Sequence, residues 1–380
     1  MKKRSNLKKG LVYIVVQTAL GGKRMRKITK STIVATVVTS TVLLSGCGLF
    51  GGGEEVSQMD PPQNQTVDET VAKGENPAAE DKENNGQEEA TTETVKRDLY
   101  LIDDNGLVVP YTVDLPKTDS AARQVLEYLV AGGPLNEMLP DGFRAVIPQD
   151  TVVDVNLKDG TLTADFSKEF GTYNPEDEEK ILQAITWTLT QFDNVNNVVI
   201  SVNGYPLDEM PVNGTPIPAD LSRADGINID NSGVVDITNS RPVTLYFYVQ
   251  NEEAEYYVPV TKRIENTGVD NVTAVVNALI EGPGMNSHLI SDIHQDAKLL
   301  GAKMEEGKVT LDFNEAIFGA FNEKMISKHT INSLVLSLTE QPEVEGVAIT
   351  VNGSEDVVTE DGKSLTEPVT RPSNVNTGSF

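Results

Sequence analysis

The 380-residue chain contains few of the side chains that perform chemistry in enzymes and metal sites. It has one cysteine, Cys47, and three histidines, His288, His294 and His329. A single thiol cannot form a disulfide within the chain. His288 and His294 are six residues apart, which does not bring two imidazoles to one face of a helix, and no HExxH sequence occurs. We therefore predict no metal site and expect the histidines at the surface or at helix ends.

Other catalytic and cofactor motifs are also incomplete. The segment 301–308 is close to a phosphate-binding loop, but five residues separate its glycines instead of four, and Val309 stands where Ser or Thr is needed. No GxSxG sequence is present, and 225–236 lacks the alternating oxygen ligands of an EF-hand loop. Trp187 lies in an apolar helical pattern, which favours a core position over a sugar-binding surface. The sequence predicts that the protein is not an enzyme and has no catalytic residues.

The sequence before Cys47 indicates a role for the single thiol. A short basic segment at 25–30 precedes an apolar stretch at 33–44. This stretch is shorter than the ~20 residues that span a bilayer and is typical of a signal-peptide core. The sequence Leu-Ser-Gly-Cys at 44–47 follows directly and resembles the bacterial lipobox. The resemblance implies a covalent diacylglyceryl lipid on the Cys47 thiol, with no other cofactor.

Lipidation at Cys47 predicts an anchored protein on the extracytoplasmic face of the cell membrane. Residues 1–46 are then a signal peptide removed by cleavage. A weaker copy of the basic and apolar pattern at 1–24 favours Met25 as the translation start, with an unusually long signal region as the alternative. Two acyl chains, at ~0.8 kcal/mol per buried CH₂, hold a protein stably on a membrane.

The charge of the chain is distributed unevenly. The formal net charge is −26, although the first 46 residues hold ten Lys or Arg and no Asp or Glu. The remaining chain is therefore strongly acidic and should be repelled by nucleic acid. From Glu54 to Val95 there are twelve acidic residues, two lysines and little apolar surface. We predict that 47–96 is a disordered, acidic linker between the lipid and the body.

The body contains two copies of the same motifs in the same order. They are Leu-Tyr at 99–100 and 245–246, Gly-Pro at 133–134 and 282–283, Asp-Phe at 165–166 and 312–313, and Val-Asn-Gly at 202–204 and 351–353. We place the first repeat at 97–228, a linker at 229–242, the second repeat at 243–376 and a tail at 377–380.

Each repeat ends in a polar tail with an arginine and an asparagine. Arg223 and Asn228 in the first tail correspond to Arg371 and Asn376 in the second. We expect each tail to lie back across its own repeat. Two roles are open for Arg223 and Arg371, either anchoring the tails or contacting a partner at an interface.

Hydrophobic periodicity predicts the order ββαββαβ in each repeat. Hairpins are expected at 153–166 and 299–313, and helices at 121–130, 180–192, 272–280 and 325–339. The predicted fold class is α+β, a two-layer sandwich with two helices on one face of a small sheet.

We predict structural roles for several acidic side chains. Asp165 and Asp312 are expected to form local hydrogen bonds and to initiate helices. The acidic pairs at 103–104 and 178–179 are expected at a turn and at a helix start, where solvent exposure or the helix dipole favours them.

The repeated motifs and the lipobox together resemble the GerM family of sporulation and germination lipoproteins, whose tandem GerMN domains occur in spore-forming Gram-positive bacteria. The resemblance covers about residues 97–376. It implies domains like the ring-building motifs of secretion machinery and a structural role in endospore formation, in the channel complex that joins mother cell and forespore. It also implies a location on the outer forespore membrane and, as partners, other channel or ring-domain proteins.

Two other classes of function remain open. An extracytoplasmic lipoprotein could bind a solute or a peptidoglycan fragment in a cleft between two lobes. A cell-wall hydrolase has the least support. A glycosidase would need two carboxylates held across a cleft, a distance that a sequence does not show.

Overall fold

The computed structural model describes residues 93–232, 236, 238–250, 255–285, 287–319 and 324–377. The predicted signal peptide, Cys47 and nearly all of the predicted linker lie outside these residues. The first repeat contains seven strands and two helices: β1 (Thr94–Asp103), β2 (Val108–Pro116), α1 (Ala121–Tyr128), β3 (Phe143–Arg144), β4 (Val153–Lys158), β5 (Thr161–Phe166), α2 (Glu178–Leu189), β6 (Asn197–Val202) and β7 (Tyr205–Pro206).

The second repeat follows the same order. Its elements are β8 (Ser240–Gln250), β9 (Glu255–Glu265), α3 (Asn271–Glu281), β10 (Leu299–Glu305), β11 (Lys308–Phe313), β12 (Met325–Ile326), α4 (Lys328–Leu338), β13 (Gly346–Val351), β14 (Val358–Thr359) and β15 (Val369–Thr370). The predicted order ββαββαβ and the α+β class are confirmed, with short strands added. No helix in the described ranges is long and apolar enough to cross a membrane.

The strands of each repeat form two principal sheets, where the sequence led us to expect one. In the first repeat the sheets have the orders β2-β1-β3 and β4-β5-β6-β7. In the second they are β8-β9 and β10-β11-β13-β15, with a small β12-β14 pair. The long strands β1 and β2 pair with each other over their whole length, as do β8 and β9.

The second helix of each repeat packs on the first strand of the long hairpin. The Thr188 hydroxyl of α2 accepts a hydrogen bond from the Tyr100 amide at 3.1 Å. In the second repeat, the Ser337 hydroxyl of α4 accepts from the Tyr246 amide at 2.8 Å. Trp187 is 1% exposed, which confirms its predicted core position. These bonds fix the helices on the hairpins that carry the contact between the repeats.

The Asp-Phe and Val-Asn-Gly motifs recur together because they contact each other. Strands β5 and β6 are parallel neighbours, so their ends lie side by side. The Asp165 carboxylate accepts from the Gly204 amide at 2.8 Å, and Asp312 accepts from the Gly353 amide at 2.8 Å. Both glycines have left-handed φ angles, 80° and 77°, which favour glycine. The predicted local hydrogen bonding is confirmed, but these aspartates hold turns and do not initiate helices.

Candidate functional site: the interface between the repeats

Two asparagines join the repeats along the facing edges of their long hairpins. Asn228, in the first tail, donates through Nδ2 to the carbonyl oxygens of Val108 at 2.7 Å and Pro259 at 2.8 Å. Its Oδ1 accepts from the Val108 amide at 2.8 Å. One side chain therefore bridges β2 of the first repeat and β9 of the second.

Asn376, in the second tail, repeats this pattern with the roles of the repeats exchanged. Its Nδ2 donates to the carbonyl oxygens of Tyr257 at 2.9 Å and Pro110 at 2.7 Å. Its Oδ1 accepts from the Tyr257 amide at 2.8 Å. The two sets of bonds make the interface approximately twofold symmetric. Backbone groups that a sheet edge leaves unpaired are satisfied here by side chains.

Each tail lies across its own repeat, as expected, and also bonds the strand of the opposite repeat. The Ile227 amide donates to the Thr261 hydroxyl at 2.9 Å, and the Thr261 amide donates to the Ile227 carbonyl at 2.8 Å. In the reciprocal contact, the Val375 amide donates to the Thr112 hydroxyl at 3.2 Å. The segment 229–242 is predicted to be a linker; β8 begins within it, at Ser240, and the repeats on either side are in direct contact.

Arg223 and Arg371 converge on one partly buried acid, Glu340, just after α4. Arg223 Nη1 lies 3.0 Å from Glu340 Oε2, and Arg371 Nη2 lies 2.8 Å from Oε1. Arg223 also donates to Thr190 Oγ1 at 3.1 Å in its own repeat. Arg223 thus contacts both repeats, whereas Arg371 bonds its own, with Nη1 on the Leu336 carbonyl at 3.0 Å.

Aromatic rings complete this charged cluster. The Arg223 guanidinium lies 4.4 Å from the Trp187 ring centroid, and that of Arg371 lies 5.3 Å from Tyr246. Burial opposes ionisation of Glu340, but the two guanidiniums hold the pKa of its carboxyl below its ordinary value. A charge-paired cluster of this kind stabilises the fold and has no nucleophile or general base left over for chemistry.

Further contacts across the interface come from aromatic, acidic and apolar side chains of the hairpins and β3. The Tyr256 hydroxyl donates to Asp103 Oδ2 at 2.7 Å, and its ring meets Phe143 edge-on at 5.0 Å between centroids. Val109 packs into the hydrophobic core of the second repeat. Asp103 is buried, so the expectation of a solvent-exposed pair at 103–104 is wrong for this residue. Its hydroxyl donor lies 153 residues away, and no local pattern indicates it.

The pair at 178–179 lies at the start of α2, as predicted, and Glu178 is in addition buried. Its carboxylate accepts five hydrogen bonds from Tyr173 and from a loop at 212–215. Burial alone raises the pKa of the Glu178 carboxyl, but bonds from Asn213, Thr215 and Tyr173 lower it to about 2. Glu178 therefore organises a loop and is kept ionised by it.

The three histidines occupy the expected positions. His288 and His294 are exposed, and His329 lies at the start of α4, stacked on Tyr248 at 3.9 Å. Nowhere in the described parts of the chain do three or more His, Cys, Asp or Glu side chains form a group able to hold a metal ion.

Comparison with known proteins places this two-repeat body in a family. The model described as "Germane: Sporulation and spore germination" matches twice, at residues 98–208 and 244–357, which confirms the tandem repeat. The "Spore germination protein GerM" of Bacillus subtilis (strain 168) is 52% identical over 366 residues, 94% of this chain and 100% of that protein. The solved "Tandem GerMN domains of the sporulation protein GerM from Bacillus subtilis" are 55% identical, with a TM-score of 0.71, and cover 76% of this chain and 100% of that one. The resemblance expected from the motifs is confirmed: the chain belongs to the Germane family of sporulation and spore germination proteins.

Proposed function

We propose that this protein is a lipid-anchored assembly component of endospore formation and germination, in the channel complex between mother cell and forespore. Family membership supports a role in sporulation and germination. The lipobox at 44–47 supports an anchor at Cys47 on the extracytoplasmic face, at the outer forespore membrane in a sporulating cell. The finer assignment to a channel complex is the part that requires testing.

The interface between the repeats is the observation that carries this proposal. Its polar side chains bond each other and the hairpin edges, so they serve to join two domains into one body. The cluster of Arg223, Glu340 and Arg371 is internally paired. This arrangement suits a scaffold protein, which partner proteins bind through its surface. It suits an enzyme less well.

Two equivalent strand edges are available for pairing with partner proteins. Within the described residues, β4 and β10 each pair with one neighbour only. The equivalent apolar side chains Leu157 and Met304 on these strands are both 40% exposed. An unpaired edge can accept a strand from another protein through main-chain hydrogen bonds. We therefore place the contact with ring-domain partners at one or both edges.

Affinity capture with the tagged full-length protein tests this proposal. Detergent-solubilised membranes from sporulating and from growing cells are compared by mass spectrometry of the retained proteins. We expect channel or ring-domain proteins from the sporulating sample only. Leu157→Lys and Met304→Lys form a matched pair that identifies the edge, and Cys47→Ala should release the protein from membranes. Equal retention by both edge variants and the parent would contradict the edge assignment.

A cleft of about 880 Å³ between the repeats favours one alternative, binding of a solute or peptidoglycan fragment. Its lining includes Gln183, Lys262 and the fully exposed Met285. Calorimetric titration with a purified muropeptide tests this function. Met285→Ser should weaken binding, whereas Met138→Ser, exposed elsewhere on the first repeat, should not. Binding of wall sacculi from both growing and sporulating cells, without captured proteins, would favour this alternative over the channel.

A further inference from the structure

A second, smaller cavity lies where α3, α4 and the first tail meet. Its volume is about 320 Å³. Trp187 and Arg223 of the first repeat form one wall, and Arg241, Gln341 and Glu340 of the second repeat contribute to the other. The cavity is separate from the 880 Å³ cleft, with which it shares no lining residue.

Three buried polar atoms on residues that line this cavity have no hydrogen-bond partner. They are Arg241 Nε and both polar atoms of the Gln341 side chain, Nε2 and Oε1. Buried donors and acceptors are nearly always paired in folded proteins, because leaving them unpaired is costly. The remaining guanidinium nitrogens of Arg241 bond only neutral oxygens, Asn266 Oδ1 at 3.1 Å and the Val269 carbonyl at 3.4 Å.

The charge around these atoms favours an anion. Arg223 and Arg241 both line the cavity, and Glu340 is the one acidic residue in its lining. Glu340 is already neutralised by Arg223 and by Arg371. Among the described residues, no carboxylate lies within salt-bridge distance of Arg241. The cavity therefore keeps excess positive charge in a strongly acidic protein.

The equivalent position in the first repeat is built differently. Phe192 corresponds there to Gln341, and the Arg97 guanidinium lies 5.3 Å above its ring. The apolar Phe192 ring, with the Arg97 guanidinium above it, fills this position and has no polar atoms to leave unpaired. The unpaired amide of Gln341 is thus specific to the second repeat.

We propose that this cavity binds a phosphate group, either free or as a small monoester, between the two repeats. Arg241 Nε and Gln341 Nε2 donate to phosphate oxygens, as guanidinium and amide groups commonly do. Gln341 Oε1 accepts from the hydroxyl of a singly protonated phosphate. Sulfate has similar size and charge but no such proton at neutral pH, so it leaves Oε1 unpaired. The site should therefore select phosphate over sulfate.

Trp187 is the only tryptophan of the chain and lines the cavity, so its fluorescence reports on occupancy. The full-length protein in detergent is titrated with inorganic phosphate, glycerol phosphate or sulfate at matched ionic strength. We expect a saturable change in Trp187 emission and a rise in melting temperature with phosphate. The two phosphate probes distinguish a free ion from a monoester as the better ligand. Sulfate should produce neither effect.

Gln341→Met removes both unpaired atoms with little change in volume, and it should preserve the fold while weakening phosphate binding at least about tenfold. Arg241→Gln should weaken it similarly. Arg123→Gln makes the same charge change on the exposed face of α1 and should bind like the parent. Equal responses to sulfate and phosphate, or unchanged phosphate binding by folded Gln341→Met, would overturn the proposal.

Discussion

The substitution Asn376→Ala isolates the contribution of one reciprocal contact between the repeats. Asn376 is 4% exposed and makes three side-chain hydrogen bonds, to the carbonyls of Pro110 and Tyr257 and from the Tyr257 amide. Alanine removes all three and leaves the backbone groups of two strands without these partners. The backbone of Asn376 is not left-handed, so alanine introduces no conformational strain there.

The expected loss follows from the number of bonds. Each intramolecular hydrogen bond stabilises a protein by about 0.5–1.5 kcal/mol, and an unpaired buried group can cost more. Three bonds correspond to a fall of about 2–4 kcal/mol in the free energy of unfolding. For a body of this size, that is a fall of about 3–7 °C in melting temperature.

Urea and thermal unfolding measure this change in the full-length protein. Asn194→Ala, at an exposed position after α2, is the matched control and should leave the melting temperature nearly unchanged. A melting temperature for Asn376→Ala within about 1 °C of the control, less than 0.5 kcal/mol, would refute the reasoning. In that case the tails would lie on the hairpins without holding them together.

Three further substitutions test one buried acid, Glu178, and two partly buried acids, Glu340 and Asp312. Glu178→Gln should cost about 2–4 kcal/mol at neutral pH, because a neutral amide cannot accept all five bonds. The folded pKa of Glu178, about 2, lies below the unfolded value of about 4.3. Its stabilisation is therefore present above about pH 4 and lost as the pH falls toward 2, and urea midpoints across this range should lose that dependence in the variant. Glu340→Gln leaves two partly buried guanidiniums without an anion and should cost about 1.5–3 kcal/mol in urea unfolding. Asp312→Ala releases the Gly353 turn and should cost about 1–3 kcal/mol in thermal unfolding.

Exposed neighbours provide the controls for these substitutions. Glu179→Gln and Glu343→Gln make the same chemical change at exposed positions, so each should leave stability within about 0.5 kcal/mol of the parent. Asp165→Ala is the counterpart of Asp312→Ala in the first repeat. An unchanged acid profile in Glu178→Gln, or a Glu340→Gln variant as stable as its control, would contradict the assigned roles.

The elements of the fold could be predicted because they depend on local patterns. Alternation at 153–166 and helical spacing at 180–192 each select one type of structure and one buried face. The turn residues Asp159 and Gly160 have the left-handed φ angles, 50° and 79°, that a tight hairpin requires. Repetition of these signals at the same spacing made the tandem fold visible in one sequence.

The interface could not be predicted in the same way, since its pairs are distant in sequence. Tyr256 bonds Asp103 across 153 residues, and Asn376 bonds Pro110 across 266. The repeated asparagines did indicate that the tails belong to the repeats. A repeated sequence, however, cannot show whether a tail contacts its own copy or the other, because both copies offer the same strand.

Glu340 makes an ion-pair arrangement that two identical repeats could not make. In an exactly twofold interface, Arg223 and Arg371 would lie close together, and each would have the same type of residue beside it. In the first repeat the position equivalent to Glu340 is Gln191, whose amide bonds the backbone of Asp98. Only the second copy supplies a carboxylate, and its two oxygens neutralise one arginine each. A single acid thus pairs both cations, whereas a glutamine at both positions would leave two partly buried guanidiniums repelling each other. The interface is therefore specific to the covalently joined pair of repeats.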